Sequence, residues 1–158
     1  MDFRELQEKL IGHWCGKNLL RLSWLTPTDY FSDTELTVAP VASNKSLTFA
    51  YTWNHENVPH EGVLLLGYDN KQAAATAAWV DSWHQGSRVM PCQGTIGEQG
   101  TIDLLGYYEA PPGPDWGWRI VIAALSEETL QLTMYNRSPE DDEELAMQAE
   151  YNRSSGSA

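Results

Sequence analysis

The amino-acid sequence predicts an all-β fold, a closed antiparallel barrel of about ten strands preceded by one short helix. Apolar and polar residues alternate with a period of two through most of the chain, which is the pattern of strands with one buried face. Turn-forming residues such as Asn44-Lys45 and Pro111-Pro112-Gly113-Pro114 separate these runs at short and even intervals. An aromatic residue opens the first run and an arginine closes the last, as expected where the two ends of a barrel meet.

Residues Asp2 to Leu10 are predicted to form the helix. Asp2 is a suitable N-cap, because its carboxylate can accept a hydrogen bond from the first turn. Phe3, Leu6 and Leu10 lie on one stripe of such a helix, and Gly12 ends the run. We therefore expect one short amphipathic helix that packs its apolar stripe on the barrel.

Ten predicted strands follow the helix. The first begins at Trp14, with Trp14, Asn18, Leu20 and Leu22 on one side. The others cover residues 34–41, 46–53, 62–69, 74–83, 88–96, 100–109, 118–125, 129–136 and 145–153.

Three of these strands have an unambiguous apolar face, which must point into the barrel. The inward residues are Leu47, Phe49, Tyr51 and Trp53 in one strand, Leu130, Leu132 and Met134 in another, and Met147, Ala149 and Tyr151 in the last. Strands 62–69 and 118–125 are apolar on both faces and cannot be oriented from sequence. Their second face needs a cover, either the N-terminal helix or a second subunit, so a homodimer is possible.

The chain has the size of one domain, and we expect residues 1–153 to form a single barrel domain and 154–158 a flexible tail. A formal net charge of −12 repels phosphate backbones and anionic lipid headgroups, which argues against nucleic acid and membrane partners. No apolar run approaches the roughly 20 residues of a membrane span, and the N-terminus lacks the pattern of a secretory signal. With only two cysteines, these features predict an acidic cytoplasmic protein.

The two ends of the chain favour a barrel over a sandwich. Gly12-His13-Trp14 opens the first strand directly after the helix, and Tyr151-Asn152-Arg153 closes the last strand. In lipocalin-like barrels these strands are neighbours, and a guanidinium can lie over the tryptophan ring as a cation–π contact.

The sequence resembles an uncharacterised, mostly bacterial calycin-like domain family, of the lipocalin and fatty-acid-binding-protein type. The resemblance rests on Gly12-x-Trp14, Gly67-Tyr68-Asp69, Trp79-Val80-Asp81-Ser82, Gly94, Arg119 and Tyr151-x-Arg153, in the expected order. It implies a closed barrel with a ligand-sized interior and carries no established activity. The overall plan is more distantly similar to nitrobindin-type barrels, which bind haem through a histidine of the closing strands. Residues 118–158 contain no histidine, and we expect no haem.

Other groups of polar residues lack the spacing that catalysis or metal binding requires. His55 and His60 are five residues apart with Pro59 between them, unlike the helical His-Glu-x-x-His of zinc enzymes, so we predict an exposed hairpin tip and no metal. Asp81 and His84 fall on opposite faces of a predicted strand, which argues against a serine-hydrolase triad. We interpret Asp81 as a structural carboxylate that bonds a turn or a neighbouring strand.

Aromatic content carries the functional prediction. Seven tryptophans and seven tyrosines combine large flat bodies with polar handles, which suits a wall that binds apolar or aromatic molecules. We predict a non-enzymatic binding barrel without a cofactor, whose ligand contacts are Tyr51, Trp53, Trp79, Trp83, Met134, Met147 and Tyr151. Two alternatives stay open. One is a cavity enzyme using Asp81, His84, Arg119 and Tyr135, and the other is a filled barrel that serves in interaction or dimerisation.

Overall fold

The computed structural model describes residues 1–155 and confirms the predicted fold, a closed antiparallel barrel of ten strands with one short helix. The predicted tail 154–158 lies partly outside the described residues, since 156–158 are not among them. The elements are α1 (Phe3–Leu10), β1 (Gly12–Arg21), β2 (Asp29–Val41), β3 (Ser46–His55), β4 (Val58–Asp69), β5 (Ala74–Asp81), β6 (Met90–Ile96), β7 (Ile102–Tyr108), β8 (Trp116–Ala124), β9 (Thr129–Arg137) and β10 (Glu143–Arg153).

The barrel is a meander, in which each strand pairs with the strand before it and the strand after it. β1 and β10 close the barrel in antiparallel register, with Trp14 opposite Arg153 and Leu20 opposite Met147. Every odd-numbered strand therefore runs away from the end that carries α1. We call that end the helix-capped end, and we call the opposite end, formed by the β1–β2, β5–β6 and β9–β10 turns among others, the open end.

The helix forms as its sequence pattern predicts. The backbone N–H of Asp2 donates to Glu5 Oε2 (3.2 Å), which ties down the start of the first turn. Phe3, Leu6 and Leu10 are all buried, so the apolar stripe packs on the barrel. Among residues 1–155 there is no helix with the length and hydrophobicity of a membrane span.

The predicted contact between the two ends of the chain is confirmed. Trp14 is fully buried and donates from Nε1 to the carbonyl of Leu10 (3.0 Å). The Arg153 guanidinium lies 4.1 Å from the centre of the Trp14 ring. It also donates to the carbonyls of Lys9 (2.7 Å), Ile11 (3.0 Å) and Glu127 (3.0 Å), which fastens the helix to the barrel rim.

Gly12 makes this closure possible. Its φ of +145° is a conformation that side chains with a Cβ rarely adopt, and a Cβ there would lie 2.8 Å from Arg153 Nη1. The glycine that ends the helix in the sequence pattern thus also leaves room for the arginine.

The predicted inward faces of β3, β9 and β10 are confirmed, because all their apolar members are buried. The structure also orients the two strands that the sequence could not. Leu64 and Leu66 of β4 point inward, whereas Val63 and Leu65 are 38% and 43% exposed, so no described segment covers them. In β8 the buried alternation of Trp118, Ile120 and Ile122 marks the inner face.

Candidate functional site

The β5–β6 turn at the open end is shaped by Asp81. One carboxylate oxygen of Asp81 accepts hydrogen bonds from the backbone N–H groups of Trp83 (2.8 Å) and His84 (3.1 Å). A carboxylate that bonds its own backbone two and three residues ahead stabilises a turn instead of an extended strand. β5 consequently ends at Asp81 and not at Trp83 as predicted, and the period-two argument that placed His84 on the opposite face was wrong.

The second oxygen of Asp81 anchors the turn to the core. It accepts from the Tyr51 hydroxyl (2.7 Å) and from Trp53 Nε1 (3.3 Å), and the Tyr51 oxygen in turn accepts from Trp79 Nε1 (3.0 Å). Burial, followed by the nearby Asp81 charge, raises the pKa of Tyr51 well above its usual value, so the phenol stays protonated. Gly62 makes room for this ring, since a Cβ there would lie 2.2 Å from it. The structural role predicted for Asp81 is confirmed.

His84 lies within a group of four tryptophan rings. Its ring centre is 4.9 Å from that of Trp83, 5.0 Å from Trp118, 5.7 Å from Trp53 and 5.9 Å from Trp79. Burial lowers the pKa of His84 to about 4, although the Asp81 charge acts in the opposite direction. Near neutral pH the imidazole is therefore uncharged, with one nitrogen that donates and one that accepts.

A cavity of about 220 Å³ opens beside His84 at the open end of the barrel. It lies between the end of β1, the start of β10 and the β5–β6 turn. Its backbone frame comes from residues 20–24 and 144–146, and a register shift between Leu145 and Met147 kinks β10 at this wall. The flat side chains that line it are Trp24, Trp83, Tyr108 and Trp118, and the polar ones include His84, Gln85 and Asn136.

Several polar groups in this wall have unused hydrogen-bonding capacity. Within the described residues, neither ring nitrogen of His84 makes a hydrogen bond, and the buried Trp118 Nε1 has no partner. Tyr108 donates to Asn136 Oδ1 (2.5 Å), which occupies the carbonyl end of that amide. Arg21 at the rim is already paired with Asp29 through two hydrogen bonds of 2.8 and 2.9 Å.

The structure separates the seven predicted ligand contacts into groups. Trp83 lines the cavity, and Tyr51, Trp53 and Trp79 support Asp81 and His84 behind it. The remaining three are buried in the barrel interior and do not line the cavity: Met134, Met147 and Tyr151.

Several residues of the cavity wall are not identified by the sequence pattern. Trp118 belongs to a strand that is apolar on both faces, and the strand pattern gave it no direction. Trp24 follows β1 in a turn, where alternation gives no information. The high tryptophan content predicts an aromatic wall, but it does not show which tryptophans form that wall.

The four residues of the enzyme alternative do not assemble. Trp118 and Ile120 point inward, which places Arg119 on the outer face of β8. There the Arg119 guanidinium bonds both oxygens of Asp103 (2.8 and 2.7 Å) and lies 5.5 Å from the centre of the Tyr135 ring. Arg119 and Tyr135 therefore stand on the outside, away from the inward-facing Asp81 and His84.

The expectation of two exposed histidines at a hairpin tip was wrong. Both are half-buried, because they precede and follow the tip and their rings pack on aromatic side chains. The His60 ring centre lies 4.8 Å from that of Trp53, and His60 Nδ1 lies 3.0 Å from Ser82 Oγ. The His55 ring centre lies 4.9 Å from that of Tyr30. In the described part of the chain, no group of three or more His, Cys, Asp or Glu side chains is placed to hold a metal ion.

Known structures share this architecture. No curated protein sequence matches the chain at a significant level. The crystal structure of Rv2717c from M. tuberculosis superposes with a TM-score of 0.67 at 14% identity, covering 98% of each chain. The S-type phycobiliprotein lyase CPES from Guillardia theta gives a TM-score of 0.62 at 14% identity, covering 99% of this chain and 95% of that one. The family model described as "Protein of unknown function (DUF1579)" matches residues 4–153, and the chain therefore belongs to the DUF1579 family.

Proposed function

We propose that this protein binds a small, flat, largely apolar molecule in the cavity at the open end of the barrel. The observation that carries the proposal is a cavity of about 220 Å³ whose wall combines tryptophan rings with polar atoms that lack partners. Pockets for drug-sized molecules measure roughly 300–1,000 Å³, so this one suits a ligand of one or two fused rings.

Three kinds of side chain contribute to the proposed site. Trp24, Trp83 and Trp118 offer flat faces to the ligand. Met134 and Met147 lie one layer deeper than Asn136 and Leu145 on the same strands, and we assign them to the packed floor. Tyr151 lies further toward α1, where its hydroxyl is hydrogen-bonded to Thr34 Oγ1 (3.1 Å), and we assign it to the barrel interior.

Binding without catalysis fits the arrangement better than an enzyme. The Asp81 carboxylate is fully used by four hydrogen bonds within the protein, so it is not free to act on a substrate. One of the similar structures, a phycobiliprotein lyase, has the same barrel fold. At 14% identity the likeness carries the fold and no chemistry.

Naphthalene titration followed by the indole N–H resonances of the seven tryptophans tests the proposal. We expect saturable shifts for Trp24, Trp83 and Trp118, and an unmoved signal for Trp14 at the other end of the barrel. Trp24→Ala should weaken binding roughly 2- to 10-fold, since an aromatic pair contributes about 0.5–1.5 kcal/mol.

The matched control is Phe31→Ala, which removes an equally exposed aromatic side chain that does not line the cavity (71% exposed, against 73% for Trp24). It should leave naphthalene affinity unchanged. Absence of saturable shifts, or equal shifts at Trp14, would refute a binding site at the open end.

A further inference from the structure

A residue in the cavity wall, Trp118, carries a hydrogen-bond donor without a partner within residues 1–155. Trp118 is 7% exposed, and its Nε1 is buried without a partner among the described residues. An indole nitrogen can only donate, and buried donors in folded proteins are normally paired. Its ring is held in place by stacking on Trp79, with ring centres 5.5 Å apart and planes 12° from parallel. A rigid buried donor beside a cavity calls for an acceptor from outside the chain.

The polar neighbours of Trp118 also supply donors. Asn136 faces Trp118 across the β8–β9 pair, and its Oδ1 is occupied by the Tyr108 hydroxyl, while its Nδ2 makes no bond within residues 1–155. The His84 ring is 5.0 Å from that of Trp118 and carries one N–H when neutral. Three residues that line the cavity therefore carry donors that are unpaired in the described part of the chain. Of the charged lining residues, Arg21 is already paired with Asp29 and Glu144 is exposed to solvent.

We propose that these donors select planar, uncharged aromatic molecules that carry a hydrogen-bond acceptor, either a ring nitrogen or a carbonyl oxygen. This inference rests on the proposed function and names the chemical class of its ligand. The aromatic wall accepts the flat body, and the donors of Trp118, Asn136 and His84 fix its orientation. Since Trp118 Nε1 is shielded from solvent, a ligand that pairs with it moves a neighbouring side chain aside, and Asn136 and His84 are reached first.

The test compares quinoline with naphthalene, two molecules of the same shape that differ by one ring nitrogen. In the unmodified protein, quinoline should shift the Trp118 indole N–H resonance downfield as a hydrogen bond forms. Naphthalene should shift this resonance only through its ring current, without the downfield change that a hydrogen bond causes. Trp118→Phe should weaken quinoline binding roughly 2- to 12-fold, the effect of one lost hydrogen bond, and change naphthalene affinity by less than about 2-fold.

Trp83→Phe is the matched control, because it removes an indole N–H from the same wall but outside the donor group. It should alter the affinities for quinoline and naphthalene by the same factor. The resonance measurement needs no variant, so a misfolded Trp118→Phe protein does not decide the outcome.

Different results would contradict the acceptor selectivity and the binding function. If both molecules bind at the open end with equal response to Trp118→Phe and no downfield shift, the selectivity inference is overturned and the binding function stands. If indole, which donates but does not accept, binds as quinoline does, the inference is also overturned. If no molecule binds, the proposed function itself falls.

Discussion

The two ends of the barrel differ in how completely their buried polar groups are paired. At the helix-capped end, Trp14 is fully enclosed and Arg153 donates to three backbone carbonyls, so polar and apolar groups are both satisfied. At the open end, four tryptophans surround His84, but a buried indole N–H and an imidazole have no hydrogen-bond partner among residues 1–155. The same residue types thus build a closed plug at one end and an incomplete wall at the other, and the incomplete wall is where we expect a ligand.

Trp14→Ala should produce the largest effect on stability. We expect the free energy of unfolding to fall by about 3–5 kcal/mol, since the substitution empties the site of a fully buried large aromatic. Urea denaturation measures the change. Trp14→Phe keeps most of the packing and loses the bond to the Leu10 carbonyl, so it should cost about 1 kcal/mol beyond the difference in ring size. A midpoint for Trp14→Ala within error of the unmodified protein would show that the helix-capped end is not a plug.

His84 should make the open end sensitive to acid. Its pKa in the folded protein is about 4, below the ordinary histidine value of about 6.5, so the unfolded chain takes up a proton more readily between these values. Stability due to the neutral imidazole is therefore complete above about pH 6.5 and decreases as the pH falls toward about 4. The loss is at most about 3 kcal/mol, from roughly 1.4 kcal/mol per pKa unit.

Denaturation at several pH values, compared with His84→Phe, isolates this contribution from the carboxylates that titrate in the same range. The variant should lose less stability than the unmodified protein between about pH 6.5 and pH 4. Parallel curves for the two proteins would mean that His84 is well solvated and the open end is wetter than its ring contacts indicate.

Trp24→Ala should have the smallest effect on folding. The side chain is 73% exposed, so we expect a change in unfolding free energy within about 0.5 kcal/mol. Together with its expected effect on naphthalene binding, this would place Trp24 in the ligand site and not in the core. A loss of stability comparable to that of Trp14→Ala would erase the contrast between the two ends.

Alternation predicts the fold well because strand geometry is local. The side chains of Tyr51 and Trp53 point inward for a reason that is visible in five consecutive residues, and Trp14 and Arg153 meet because a closed meander pairs its first and last strands. The site depends on hydrogen bonds that the alternation of apolar and polar residues does not predict. A single carboxylate, Asp81, ends β5 two residues early and turns His84 toward the tryptophans.

Trp118 shows a second limit. In a strand with apolar residues on both faces, the pattern is compatible with either orientation, and the neighbouring strands decide between them. Arg119 could be placed outside only once the inward orientation of Trp118 and Ile120 was known, and there it pairs with Asp103 and Glu143, which belong to other strands. Long-range polar pairing of this kind leaves no local trace in the sequence.

The β1–β10 pairing has a consequence for how the chain folds. Nine of the ten pairings in the described barrel join consecutive strands, and each of these hairpins can form as soon as its two strands exist. The tenth joins Trp14 to Arg153 and cannot form until the last strand has been synthesised. During translation, the edge of β1 in the growing sheet is therefore unpaired, and Arg153 does not yet cover the Trp14 ring. The nascent sheet is thus exposed to edge-to-edge association until its final strand arrives, and completion of β10 converts an open ribbon into a barrel in one late step.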